Sequence, residues 1–516
     1  MRRSIVSALG FVAGLGSLAS GQALEQEYVT PTLGTSTQQF GYGVATQADV
    51  MVAGAPRDDS NGPNAGAAYV YRWDAATASW AYEAQLFPTD PEIEARFGIS
   101  AAVYGDVAVI GASLEDNAKG TNAGAAYIFR RDSSTGVWSQ EQKLTPSVGA
   151  GYDEFGLRLA LVDDVLLVSA HLGNTANGVD SGLVYVYRWK DSTVNWVEEA
   201  TLVDPDGKAL DYAGSGIAFD GATAVIGSPG EQQGSNPDAG TVGIWTVSGT
   251  TWTQAAELSP LVRQDYAYFG YAVGVSGTEL VVGAPYFDTS GTFDVGACYF
   301  FSNASGSWTE TGLITNPNSK DSDSFGFRAA MSGKLAIVGS YNDDAFGRLD
   351  SGAAYTFRKG NGNKGWFLDQ ELAASDGAAF DYFCTSLAAS DEHIVIGAPG
   401  NEISSGGFYT DWGVVYGFDA DEINLKINPT QPMPGETMNI SIYDGEENAP
   451  VLLVVDEVDG TPVWVEVLFS SFGVDHRLTF DADAENPLLG FNIGVTAWKI
   501  SPTGPVVSSS RVYVDV

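Results

Sequence analysis

A short motif recurs seven times at nearly constant spacing, and this repeat limits the chain to very few folds. Each copy begins with a Phe-Gly step or a degenerate version of it, and successive copies lie 56–58 residues apart. The first positions are Phe40, Phe97, Phe155, Ala213, Phe269, Phe325 and Phe383. A Gly-Ala-Pro-like triplet starts 14 residues later in every copy, at Gly54, Gly111, Ser169, Gly227, Gly283, Gly339 and Gly397.

Each repeat has the pattern of four short strands. In the first copy these are "FGYGVATQ", "VMVAGAP", "GAAYVYRW" and "WAYEAQLF", with turn-rich stretches between them. Helical periodicity is absent, while β-branched and aromatic residues are frequent. A four-stranded antiparallel unit of this length, repeated around an axis, forms a propeller blade. We therefore predict an all-β fold, a seven-bladed β-propeller followed by a small β-sandwich domain.

The two ends of the repeat region predict a closed ring. The seventh copy ends after its third strand, "GVVYGF" at 413–418, whereas "LEQEYVTPT" before the first Phe-Gly step aligns with fourth strands such as "WSQEQKLTP". We expect the N-terminal segment to complete the last blade, which leaves no open sheet edge.

Three regions are predicted along the chain. Residues 1–23 have Arg2, Arg3, an apolar run and then small residues, the pattern of a secretory signal peptide. Residues 24–421 form the propeller, and residues 422–516 begin with a proline-rich linker and continue as alternating segments of a β-sandwich of immunoglobulin-like size. No later apolar run reaches the length of a membrane helix. We expect a secreted, cell-surface or periplasmic protein.

The motif resembles the FG-GAP repeats of the integrin α-subunit propeller, and more closely the short FG-GAP repeats of bacterial exported proteins. The resemblance covers about residues 25–420 and implies a binding or adhesion module. Integrin-type repeats that bind calcium have a D-x-D-x-D-G-like run between Phe-Gly and Gly-Ala-Pro. Here those connections are short, for instance "TQADV", so that calcium site is not transferred to this chain.

Acidic residues recur in the loop between the second and third strands. They stand four and five residues after the triplet start, and an Asn or Asp precedes the third strand in every copy. The candidate binding residues are Asp58, Asp59, Asn64, Glu115, Asp116, Asp288, Asp294, Asp343, Asp344 and Asp350. Two interpretations stay open. The side chains cap turns, which we favour because such bonds are common, or they bind Ca²⁺ through oxygen ligands, best in the first and sixth copies.

The formal net charge of -39 disfavours nucleic acid and anionic membranes as partners. The three histidines, His171, His393 and His476, form no metal-spaced pair, and the basic residues show no repeat position. Cys298 and Cys384 are expected to be buried and unpaired. We predict a monomeric, non-enzymatic binding or adhesion module whose acidic face meets a protein, a glycan or a surface polymer. A structural envelope or matrix protein and a carboxylate-dependent hydrolase are the alternatives.

Overall fold

The computed structural model describes residues 25–31, 38–316, 320–360, 365–401 and 412–420, together with the backbone of eight strands between residues 424 and 515. The predicted signal peptide lies outside the described residues. The first strand, β1, spans Glu25–Val29.

The next 27 strands build seven sheets, named blades I to VII in chain order. Blade I contains β2 (Val44–Gln47), β3 (Val50–Ala55), β4 (Ala67–Asp74) and β5 (Ser79–Leu86). Blade II contains β6 (Ser100–Tyr104), β7 (Val107–Ala112), β8 (Ala125–Arg131) and β9 (Trp138–Leu144). Blade III contains β10 (Leu159–Val162), β11 (Val165–Ala170), β12 (Leu183–Lys190) and β13 (Asn195–Leu202). Blade IV contains β14 (Gly216–Phe219), β15 (Thr223–Ser228), β16 (Thr241–Ser248) and β17 (Thr251–Leu258).

Blade V contains β18 (Ala272–Ser276), β19 (Glu279–Ala284), β20 (Ala297–Ser302) and β21 (Thr309–Thr315). Blade VI contains β22 (Arg328–Ser332), β23 (Leu335–Ser340), β24 (Ala353–Lys359) and β25 (Trp366–Leu372), with one 3₁₀ turn at Ala345–Gly347. Blade VII contains β26 (Ser386–Ala389), β27 (His393–Ala398) and β28 (Val414–Asp419).

The ring closes as expected from the sequences at the two ends of the repeat region. β1 pairs with β28 in antiparallel register, with Tyr28 opposite Tyr416 and Val29 opposite Val415, and so supplies the fourth strand of blade VII. The first strands of successive blades lie side by side around the axis, and β26 lies beside β2. The seven-bladed, all-β architecture is therefore confirmed.

The phenylalanine of the Phe-Gly step is the centre of each blade's core. All six copies are completely buried. Each ring packs edge-on or tilted against the strand-three tyrosine of its own blade, with centroids 5.1–5.5 Å apart. Aromatic pairs favour such contacts. The repeat therefore preserves a packing unit.

The glycines of the motif allow neighbouring blades to touch through their backbones. A Cβ atom on Gly54 in blade I would lie 1.9 Å from the carbonyl oxygen of Gly98 in blade II. Gly66, with φ of +86°, would place a Cβ 2.0 Å from the carbonyl oxygen of Phe97. The backbone N–H of Phe97 also donates to the carbonyl of Ala65. The spacing of the glycines is thus set by contact between blades.

Recurrent tryptophans join blades on the outer strands. In blade II, Glu141 accepts from Arg130 of its own blade at 2.6 Å and from the indole N–H of Trp196 in blade III at 3.3 Å. The same arrangement links Glu83 to Arg72 and Trp138, and Glu199 to Arg188 and Trp252. One carboxylate therefore satisfies donors from two blades.

Beyond the propeller, strands β29 to β36 form two antiparallel sheets. Their bounds are Asn424–Asn428, Glu436–Tyr443, Val451–Val458, Thr461–Phe469, Asp475–Ala482, Asn492–Lys499, Val507–Ser508 and Val512–Asp515. One sheet has the order β29-β30-β33, and the other has β32-β31-β34-β35 with β36 also paired to β34. Packing of these two sheets as a sandwich stays a prediction.

Candidate functional site

The loop face is the propeller surface formed by the connections from strand two to strand three and from strand four to the next blade. It contains all ten candidate residues. The acids five residues after the triplet start cap their own loops. Their Oδ1 atoms accept backbone N–H groups at 2.8–3.0 Å: Asp59 from Asn64, Asp116 from Asn122, Asp288 from Asp294, and Asp344 from Asp350.

The Asn or Asp before strand three has a backbone reason for its recurrence. Asn64, Asn122, Asp294 and Asp350 have φ values of 46–52°, in the left-handed region. Apart from glycine, Asn and Asp are the residues that adopt this conformation most readily. The equivalent Asp411 lies outside the described residues.

The acids four residues after the triplet start are buried and satisfy a tyrosine. Asp58 is completely buried and accepts the hydroxyl of Tyr69 at 3.0 Å. Glu115 accepts Tyr127 at 2.5 Å, and Asp343 accepts Tyr355 at 2.8 Å.

The blades that lack this acid satisfy their tyrosines differently. In blade V, where Phe287 stands in its place, the hydroxyl of Tyr299 donates to the carbonyl of Val262 at 2.9 Å. In blade III, where Gly173 stands there, Tyr185 donates to the carbonyl of Val148. In blade IV the buried acid is Glu231, strand three has Gly243 in place of the tyrosine, and Glu231 accepts the hydroxyl of Thr241. In each of these blades the buried polar group therefore has a hydrogen-bond partner, but the partner differs.

Burial raises the pKa of several of these acids. Desolvation raises the pKa of Glu115 even though Lys143 binds it at 2.5 Å, and it raises the pKa of Asp343 as well. In blade IV, burial and then the nearby Glu257 and Asp204 raise the pKa of Glu231 to about 8, against the hydrogen bond from Thr241.

The candidate acids do not assemble a cage of ligands in the described part of the chain. In blades I, II and VI the loop has one buried and one capping acid, both already accepting hydrogen bonds from the chain, and in blade V it has the capping Asp288 alone. Among the described residues, three carboxylates within coordination range of one another occur at Asp204 and Asp206, in the connection from blade III to blade IV, and at Glu257 in β17. Calcium binding at the ten loop residues stays a prediction.

A second feature of the loop face is a cavity of about 150 Å³ on the axis, between the inner strands. Arg158 of blade III and Arg328 of blade VI both line it. Each stands three residues after the first position of its repeat, Phe155 or Phe325. The view that basic residues show no repeat position was therefore wrong, and comparison of that position across copies would have found this pair.

The loop face of blades V to VII also has a continuous set of aromatic rings near this cavity. Tyr271 lies 5.1 Å from Phe327, and Phe327 lies 4.1 Å from Tyr341, between ring centroids. Further contacts extend the set at both ends. We call this the aromatic surface; its members are Tyr266, Tyr268, Tyr271, Tyr286, Phe327, Tyr341, Phe380 and Tyr382. The repeat motif does not reveal this surface, because its rings come from several repeat positions and each position has a ring in only some of the copies.

The histidines and cysteines are dispersed. His171 is in blade III, where burial and then the charge of Arg158 lower its pKa to about 4. His393 packs against Trp73 and Trp80 at the junction of blades VII and I. Cys298 and Cys384 are both buried and free.

These features define a seven-bladed propeller with a rigid blade framework and an asymmetric loop face. The FG-GAP repeat model matches residues 24–71, 80–129, 138–187, 196–243, 252–301, 308–357 and 366–410. The chain belongs to the FG-GAP repeat family.

Solved structures with a similar shape are distant in sequence. Sqt1 of Saccharomyces cerevisiae is 10% identical with a TM-score of 0.43, covering 78% of this chain and 100% of its own. The periplasmic gluconolactonase PpgL of Pseudomonas aeruginosa is 14% identical with a TM-score of 0.41, covering 65% and 86%. No curated protein matches the sequence. Within the described residues, no helix is long and apolar enough to cross a membrane.

Proposed function

We propose that this protein is an exported, non-enzymatic binding module that recognises a carbohydrate through the aromatic surface. The observation that supports this most directly is the exposure of contiguous rings on one side of the loop face. Tyr266 is 56% exposed and Phe380 is 48% exposed. Exposed aromatic groups gathered in one patch are typical of interaction sites.

Polar groups accompany the rings. Tyr266, Tyr268, Tyr271 and Tyr286 line one depression together with Asp294. The Tyr268 hydroxyl also donates to Asp238 at 3.3 Å. Sugars have both apolar C–H faces and hydroxyl groups, so they match a site in which aromatic rings alternate with a few hydrogen-bonding groups.

The break in repeat symmetry favours one site rather than a role in every blade. The position of Tyr271 is Ile99 in blade II and Leu157 in blade III. The position of Tyr286 is Leu114 in blade II and Leu172 in blade III. The packing common to all blades does not require rings at these positions, because blades II and III have aliphatic residues there.

The test is binding to a panel of immobilised neutral polysaccharides. We expect the wild-type protein to bind at least one member, and Tyr266→Ala/Tyr268→Ala to bind it about tenfold more weakly, a loss of ~1.4 kcal/mol. Tyr104→Ala is the matched control, since Tyr104 is 37% exposed at the end of strand one on the opposite face. It should bind like the wild type.

Two outcomes would count against the proposal. If no polysaccharide is bound, or if the double variant binds as tightly as the wild type, the aromatic surface is not a carbohydrate site. Release of reducing ends during the assay would instead favour the carboxylate-dependent hydrolase. Retention of the protein in the cell envelope without binding to any glycan would favour the structural role.

A further inference from the structure

We propose that the axial cavity is a binding site for a small oxyanion, held between Arg158 and Arg328. The ligand class is a single carboxylate, sulfate or phosphate group, either free or at the end of a larger molecule. This site is separate from the carbohydrate contact proposed above and does not depend on it.

The two arginines reach the cavity from different parts of the ring. Both occupy the third position after the start of their repeat, where the other blades have the small residues Gly43, Ser100, Gly216, Ala272 and Ser386. Blades III and VI lie across the axis from each other, because two blades separate them on one side and three on the other. Their side chains therefore meet at the centre of the propeller.

The same two blades depart from the repeat at a second position. In these two blades a ring replaces the proline of the Gly-Ala-Pro triplet, His171 in blade III and Tyr341 in blade VI, whereas blade II has Ser113 there. Both rings lie near the arginine of their own blade, since the arginine charge lowers the pKa of His171 and opposes the rise in the pKa of Tyr341. Two coordinated departures in the same two blades indicate a site at the axis rather than random drift of one repeat.

Neither arginine has a carboxylate partner in the part of the chain that the structure describes. Nε of Arg158 donates to the carbonyl of Ser215 at 3.1 Å, and an N–H of Arg328 donates to the carbonyl of Phe327 at 3.0 Å. No Asp or Glu lines the cavity.

Several other arginines in the described part of the chain bind a carboxylate, whereas Arg57, Arg263 and Arg348 are exposed to solvent. Arg72, Arg188 and Arg358 each bind a carboxylate at 2.6–2.8 Å. In a chain with 64 acidic and 25 basic residues, a cavity lined by two guanidinium groups and no carboxylate is unexpected. Both guanidinium groups are partly buried, and Arg328 also lies over the Phe327 ring, 4.3 Å from its centroid. Partly buried charge without a counter-charge is unfavourable, and a bound anion would reduce that penalty.

The electrostatics of the cavity also favour an anion. Burial, followed by the charge of Arg328, lowers the pKa of Arg158 to about 10. The Arg158 guanidinium is therefore charged at neutral pH, and no carboxylate in the lining balances that charge. A planar guanidinium presents two parallel N–H donors that match carboxylate, sulfate and phosphate oxygens.

The size and surroundings of the cavity limit the ligand. A volume of about 150 Å³ accommodates one oxyanion group but not a polymer segment. A protein with a net charge of -39 also repels polyanions at long range. Tyr271 lines both this cavity and the aromatic depression, so an acidic group at the end of a bound molecule has a path to the arginines.

The test measures binding of inorganic sulfate by calorimetry, with sodium chloride at equal ionic strength as the reference. We expect the wild type to bind sulfate, and Arg158→Gln/Arg328→Gln to bind about tenfold more weakly or not at all. Arg57→Gln, an exposed arginine on the loop face of blade I, is the matched control and should bind like the wild type. Each single variant, Arg158→Gln and Arg328→Gln, should also weaken binding, which keeps the test informative if the double variant does not fold.

Thermal unfolding gives a second measurement, which distinguishes anion binding from a purely structural role of the two arginines. Without sulfate, the double variant should melt at the same temperature as the wild type or higher, because two unpaired charges are removed. With sulfate, only the wild type should gain melting temperature. Parallel titrations with phosphate, acetate and glucuronate distinguish free inorganic anions from an acidic sugar as the source of the group. The proposal is overturned if wild-type protein binds none of these anions, or if the arginine variants bind them as the wild type does.

Discussion

Asp323 shows how one buried side chain makes the stability of a blade depend on pH. It is 2% exposed, and its Oδ2 accepts the backbone N–H of Lys320 at 2.8 Å and the side-chain amide of Asn316 at 2.9 Å. Asn316 also donates to Asp343 at 3.0 Å, so two carboxylates share one amide. Burial, and then the charge of Asp343, raise the pKa of Asp323 to about 7.

A raised carboxyl pKa means that the folded state holds its proton more tightly than the unfolded state. Stability attributable to Asp323 is therefore highest near pH 4 and falls as the pH rises to about 7. We expect Asp323→Asn, which keeps the oxygen that accepts both hydrogen bonds, to match the wild type near pH 4. At pH 8 it should be more stable by about 1–3 kcal/mol. Urea unfolding at both pH values measures this difference.

Asp132 is a control for this prediction, because its pKa is lowered whereas that of Asp323 is raised. Asp132 is exposed. Its pKa is lowered by hydrogen bonds, first from the side chain and backbone of Ser134 and then from the backbone of Thr135. Asp132→Asn should therefore be less stable than the wild type at neutral pH and approach it as the pH falls through the lowered pKa. If Asp323→Asn is less stable than the wild type at neutral pH, as Asp132→Asn is expected to be, the burial argument for Asp323 is wrong.

For the candidate loop acids, the sequence predicts the position of each residue but not its role. Their positions in the repeat were predictable, because the acids stand at the same offset from the triplet wherever they occur. Their separate roles were not, since Asp58 and Asp59 are adjacent in sequence yet one is buried against Tyr69 and the other caps a turn. In blade I the partner of the buried acid is Tyr69, three positions after the strand-three glycine Gly66. In blade IV the same position is Gly243, and the buried Glu231 accepts the hydroxyl of Thr241 instead.

At the scale of strands, the contact between blades depends on glycines that have no space for a side chain. Gly54 lies at the end of β3, against the backbone of Gly98. We expect Gly54→Ala to destabilise the protein by about 2–4 kcal/mol, since the obstacle is backbone and cannot rotate away. Thermal or urea unfolding measures the loss.

Gly312 in β21 is the matched control for this substitution. It too lies in a strand without a positive φ, but a Cβ there would meet no atom within 4 Å. Gly312→Ala should change stability by no more than about 1 kcal/mol, and in the stabilising direction if the gain from a less flexible unfolded chain dominates. Equal losses in both variants would show that the close approach of blades I and II is not what Gly54 preserves.

Strand-level features were predictable wherever they repeat in all blades. The four strands per blade, the buried phenylalanines and the strand donated by the N-terminal segment all followed from seven aligned copies. Arg158 and Arg328 were missed because only two copies contain them, and the aromatic surface because its rings come from several repeat positions. Function on a symmetric fold depends on such exceptions, and an averaged repeat pattern hides them.

At the scale of the whole molecule, the ring depends on the pairing of β1 with β28. Without β1, blade VII would expose the backbone N–H and C=O groups of β28 as an open edge, which can pair with other chains. We expect a protein lacking residues 1–31 to melt at a lower temperature than a chain beginning at residue 24. It should also form larger particles, measured by light scattering at equal concentration.

Complementation separates this edge effect from general damage to the fold. A synthetic peptide of residues 24–31 can pair with the vacant edge by strand addition, so it should suppress the scattering and restore part of the lost melting temperature. A peptide of the same composition in scrambled order keeps the charge but not the alternation of side chains, and it should do neither. A truncated protein that stays monodisperse and melts like the longer chain would mean that β1 is dispensable and that the six complete blades, with three strands of the seventh, hold the ring closed by themselves.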